Sequence, residues 1–150
     1  MSLLPKIRSS SAVLIVAIQA MVICGCAPAL KSPETTSSMN ITNPALRDYQ
    51  FLANMYRDDY FPDFLVDKCG EILIEFCLEI ERQKPTTDQE LFTLSHAATN
   101  RINELTDDFM ENDSELETGA REALGADFAF IVSTYGFNVD IEEVIATRDW

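Results

Sequence analysis

The sequence predicts an all-α fold, a compact bundle of about five helices, and three observations predict it. Apolar residues recur at intervals of three and four through long segments. Those segments open on capping chemistry and stop near Pro or Gly. No alternating run of useful length argues for a strand. With 150 residues, 47% hydrophobic and 24% charged, the chain closes one core rather than staying disordered.

Taken in order, Asn43-Pro44 reads as N-cap and first-turn proline of a helix to about Arg57, and Tyr60-Phe61-Pro62 breaks it. The second helix spans about Asp63 to Gln83. Its Leu65, Cys69, Ile72, Leu73, Phe76 and Ile80 form one apolar face, and Pro85 closes it. Thr87-Asp-Gln-Glu90 has the capping-box form for a third helix to about Glu111, buried through Leu91, Leu94, Ala98, Ile102, Leu105 and Phe109. Ser114-Glu-Leu-Glu117 repeats that form and opens a fourth helix with Ala120, Leu124, Phe128, Ile131 and Tyr135 inward and Gly136 after its end. A short fifth helix starts near Asp140, with Val144 and Ile145 to bury.

Ahead of the bundle, residues 1–25 resemble a bacterial lipoprotein signal peptide: basic Lys6 and Arg8, an apolar run from Ala12 to Ile23, then Ile23-Cys24-Gly25-Cys26. The run is about twelve residues, short of the roughly 20 that span a bilayer as a helix. The resemblance implies cleavage after Gly25 and lipid on Cys26, whose several acyl chains would hold the protein to the membrane. Ala27 after the cysteine implies the outer membrane, with the protein facing the periplasm. Residues 26–43 then read as the lipidated cysteine and a flexible tether spanning on the order of 23 Å, and residues 44–150 as an acidic helical domain. A start at Met39 would instead give a cytoplasmic domain, and the coherent leader argues against it. Cys69 and Cys77 lie eight apart on one helix, roughly 12 Å between Cα atoms, beyond disulfide reach, so buried thiols are expected.

Charge narrows the function. The chain carries 25 acidic against 11 basic residues, a net −14. Phosphate backbones need clustered Lys and Arg, so nucleic acid is excluded as a partner. Five Gly leave no phosphate-cradling loop, one His excludes a His-rich metal site, and no cofactor or catalytic residue is indicated. Ser95-His96 is no nucleophile–base pair, because neighbouring helix side chains diverge by about 100°.

Three patterns stand out. Asp67, Glu71, Glu75 and Glu79, spaced by four, form a carboxylate ladder opposite the apolar face of the second helix, either solvated or docking a basic partner, with Lys68 and Arg82 relieving part of the repulsion. Phe64 and Ile74 fall on that outer side, which suits a protein interface. His96 shares a semi-polar flank of the third helix with Phe92, Thr99 and Asn103, where a histidine held by hydrogen bonds between helices is the simplest expectation. The acidic run Asp107–Glu117 is no EF-hand, since Thr118 and Leu124 stand where its sixth-position Gly and twelfth-position Glu belong.

Tyr49-Gln-Phe-Leu-Ala-Asn-Met-Tyr56, Tyr60-Phe-Pro62, Leu94-Ser-His-Ala-Ala-Thr99, Asn112–Thr118, Tyr135-Gly-Phe137 and Ala146-Thr-Arg-Asp-Trp150 together resemble the bacterial family catalogued as domain of unknown function 5713. The resemblance covers roughly residues 40–150, implies an all-helical domain and supplies no reaction. The expected function is therefore protein binding by a lipid-anchored envelope protein, for example as an immunity or inhibitor protein against a basic partner. The ladder with His96 and Asn103 is the candidate contact surface. The alternative is a small enzyme or divalent-cation binder using His96 and carboxylates.

Overall fold

A computed structural model describes residues 40–150; the expected signal peptide, the expected lipidation site Cys26 and the expected tether through residue 39 lie outside the described residues. Among the described residues there are six α-helices and no strand: α1 (Pro44–Arg47), α2 (Asp63–Gln83), α3 (Asp88–Asn103), α4 (Thr106–Glu111), α5 (Thr118–Thr134) and α6 (Ile141–Val144), with a 3-10 turn at Met55–Arg57. The predicted fold class holds, and the helix divisions differ at three points. None of these helices is long and apolar enough to cross a membrane.

α2 is the central element because its apolar residues cover more than half its circumference. Leu65, Cys69, Ile72, Leu73, Phe76 and Ile80 are buried as predicted, and so are Val66, Ile74 and Cys77. Ile74 was expected on the outer side and is 8% exposed; Phe64, at 51%, does face out. α3 runs antiparallel to α2. Arg101 near the end of α3 reaches Glu75, and Asp108, past α3 on α4, reaches Lys68 nearer the start of α2, so rising numbers along α2 meet falling numbers on the chain beside it. α5 runs parallel to α2. Phe61, just ahead of α2, packs 3.7 Å from where a methyl on Gly119 would sit, while Tyr135 at the far end of α5 bonds to Glu81 and to the Cys77 carbonyl.

The N-terminal stretch departs most from expectation. Asn43 caps α1, its Oδ1 accepting from the Ala45 N–H, but α1 lasts a single turn instead of reaching Arg57. α1 already ends at Asp48 (φ −97°, ψ 4°), and Leu52, four residues on, is left-handed (φ 56°), which costs a non-glycine residue about 1–2 kcal/mol and lets no α-helix resume through this stretch. The folded body also begins earlier than Pro44: Ile41 is fully buried, and Thr42 and Asn43 are bonded to α2.

The third predicted helix is two helices. The Leu105 N–H bonds to Ile102 rather than Arg101, a tightened turn that redirects the chain so that Phe109 on α4 becomes fully buried. α4 then closes with Asp113 left-handed (φ 56°). The Ser114 N–H bonds back to the Phe109 carbonyl and the Asp113 N–H to Met110, the paired bonds of a Schellman motif. Ser114 therefore terminates α4 instead of capping α5, which starts at Thr118 with no side-chain cap. The predicted caps at Thr87 and Asp140 are present, the first as a full capping box with Glu90. Gly136 (φ 90°) closes α5 in a second Schellman motif through Phe137 and Val132.

Candidate functional site

The four carboxylates of the ladder share the solvent side of α2, yet three of them have partners inside the chain. Asp67 accepts from the Tyr56 hydroxyl at 2.7 Å, Glu75 pairs with Arg101 across the α2–α3 seam, and Glu79 takes a two-point contact from Arg82 and a third bond from Gln83. Those donors hold Glu79 below the ordinary glutamate value, Arg82 first among the causes. Of the four, only Glu71 has neither an ion pair nor a side-chain hydrogen bond to a described residue, and it is exposed. The ladder is thus partly neutralised rather than simply solvated, and Lys68 relieves Asp108, not its own helix. Beside the ladder, α2 and α3 enclose a groove of about 370 Å³ with Ile72, Phe76, Leu94 and Ala98 as its floor and Glu75, Glu79 and Arg101 on its rim.

His96 and Asn103 lie on the other side of α3, about 140–160° around the helix from Arg101 at 100° per residue. They fasten the C-terminal segment: His96 Nε2 is 2.8 Å from the Glu143 carbonyl, Asn103 Nδ2 donates to the Thr147 carbonyl, and Asn103 Oδ1 accepts from the Asp149 N–H. The semi-polar flank is therefore the seat of α6, and Thr99 on it is fully buried. The six residues expected to act together fall on two surfaces. No carboxylate side chain bonds to His96, and no group of three His, Cys, Asp or Glu side chains converges among the described residues.

Two further carboxylates organise the molecule, and neither figured in the sequence reading. Glu81 accepts from the Thr42 and Asn43 backbone N–H groups and from the Tyr135 hydroxyl, at 2.9–3.0 Å. Burial pulls its pKa up, but these donors prevail and hold it below the ordinary glutamate value. Asp127 is 4% exposed; one oxygen accepts from the Leu52 N–H at 2.7 Å and the other from the Tyr49 hydroxyl at 2.9 Å. Here burial prevails and raises the pKa, while Tyr49 is pushed up to about 12 by burial and by Asp127. The signal for Asp127 was available: it sits three residues past Leu124 and four before Ile131, an acid inside an apolar stripe. Glu81 carries a weaker signal, four residues after buried Cys77.

Cys69 and Cys77 are free and buried as expected, and burial pushes both thiols up to about 12, which makes them poor nucleophiles. Against known proteins, a family model described as "Family of unknown function (DUF5713)" matches residues 45–150. No curated protein and no solved structure matches the chain.

Proposed function

The chain belongs to the DUF5713 family, a family of unknown function, and from that premise we propose that it is an acidic helical module that binds a basic protein partner while held to the outer membrane by lipid on Cys26. The observation that supports the binding role is the α2–α3 groove, an apolar floor rimmed by Glu75, Glu79 and the Arg101 that pairs with Glu75, with unpaired Glu71 one turn away. An amphipathic basic segment would lay apolar side chains on the floor and place cations against the rim. Residues 44–150 hold 8 basic against 24 acidic residues, a charge of −16 that would steer such a partner at rates falling with salt. An immunity or inhibitor protein against a basic toxin or hydrolase fits this chemistry. His96 and Asn103 drop out of the contact surface, since both are engaged with the C-terminal segment.

Pull-down from envelope extracts at low and high salt tests the reading. A partner captured at low salt should be lost from the E71Q/E75Q/E79Q variant and from Ala97→Trp, which fills the groove. Unchanged capture by both variants removes the groove from consideration. The anchor is tested separately by acyl labelling, in which Cys26→Ala should abolish both lipid incorporation and membrane retention.

A further inference from the structure

We infer that the partner element seated in the α2–α3 groove is an amphipathic α-helix, basic along the edge that faces α2. The inference rests on the reading of that groove as a binding surface and adds what kind of segment fills it. Each wall presents residues spaced by a helical turn: Ile72, Phe76 and Glu79 from α2, and Leu94, Ala98 and Arg101 from α3. From Ile72 to Gln83 the groove runs roughly 16 Å at 1.5 Å per residue, three turns of a seated helix. Ala97 and Ala98 keep the α3 wall low, so a third backbone can come close. Leu78 and Leu94 are only half-buried and have apolar surface left to cover.

The groove offers side chains and no free backbone. Its lining lies within α2 and α3, whose amides and carbonyls pair along their own helices, and no strand edge exists among the described residues. An extended peptide would press its own N–H and C=O groups on the apolar floor without partners, whereas a helix arrives with its backbone already paired. Charge then orients the occupant. The α2 side carries Glu75 and Glu79, with Glu71 one turn further on, while Arg101 is the one charged residue that α3 contributes. Arg101 and Arg82 engage Glu75 and Glu79, but both pairs are exposed and therefore weak, so a partner's cations can share those carboxylates. Glu71 needs no such sharing. A second copy of this chain would instead bring a charge of −16 against −16 over residues 44–150.

The probes are labelled synthetic peptides of about 14 residues, three to four helical turns, added to the full chain. One is a Leu/Lys helix with a single leucine stripe; the others scatter its leucines, break it with a central proline, or replace its Lys by Glu. Fluorescence anisotropy should show the striped helix bound and the other three at least about tenfold weaker. Ala97→Trp, at an exposed position on the groove, should abolish that binding, and Glu71→Gln should weaken it about two- to fivefold. Ala126→Trp, on the exposed side of α5, should leave it unchanged. No binding of the striped helix, equal binding of the scattered, proline-broken or acidic peptide, or full affinity in Ala97→Trp overturns the inference. The groove reading fails separately, through envelope capture: a partner lost from Ala97→Trp while no striped helix binds keeps the groove and discards the helix.

Discussion

Two carboxylates fasten the stretch before α2 to the bundle, Glu81 at the C-terminal end of α2 and Asp127 in the middle of α5, and they differ in depth. Glu81 is half-buried and gathers three donors, so its charge is well solvated by the protein. Asp127 is nearly inaccessible and has two. The same chemical group is therefore favoured as an anion at one place and penalised at the other. Donor number and desolvation, not residue type, set the sign. Each also has a different structural consequence. Glu81 fixes where the chain enters the domain; Asp127 holds Leu52 in a conformation that leucine otherwise avoids.

The comparison is tested most severely at Asp127. Asp127→Ala leaves the Leu52 N–H without its acceptor in the interior and should lower the unfolding free energy by about 3 kcal/mol in urea titration. Asp127→Asn keeps an acceptor for that N–H and removes the charge, so it should cost about 1 kcal/mol or less. Equal losses in the two variants would mean that the charge itself, rather than the acceptor, holds the loop. Glu81→Ala should cost about 1–2 kcal/mol, because the donors it abandons are near enough to the surface to reach water. Amide exchange should quicken at Thr42 and Asn43 first.

The pH dependence separates the two further. Glu81, with its pKa below the unfolded value near 4.5, contributes stability that is present above that value and lost as pH falls through the lower folded value. The deficit of Glu81→Gln relative to the parent chain should thus shrink in acid. Asp127, raised above its unfolded value near 3.8, behaves oppositely: its contribution is largest below 3.8 and declines as pH rises through the folded value. Asp127→Asn should gain on the parent chain from acid toward neutrality. Parallel trends in the two variants would break the comparison. The smallest effect belongs to an exposed pair with no buried donor: Arg101→Ala should change stability by less than about 0.5 kcal/mol, read as a shift in urea midpoint.

What could be read in advance follows interaction range. The apolar stripes of α2 and α3 and the caps at Asn43, Thr87 and Asp140 depend on residues within a turn of one another, and they stand as expected, while Ile74, expected outward, is buried. The capping box at Ser114 satisfied the same local rule and failed, because the Ser114 N–H was already closing α4 against Phe109. The carboxylate ladder was visible in its spacing of four, but its partners Tyr56 and Arg101 were not, since they come from other elements.

By itself, then, the sequence determined an acidic all-α chain, the inward faces of its long helices and most of their ends. Those features rest on a 3.6-residue period and on hydrogen bonds between near neighbours. Only the tertiary structure decided that the first helix stops after a turn, that the third divides, and that Glu81 and Asp127 receive the backbone of a segment 38 to 75 residues away. A donor left over in one element takes whichever acceptor packing brings to it, and no local pattern records that meeting.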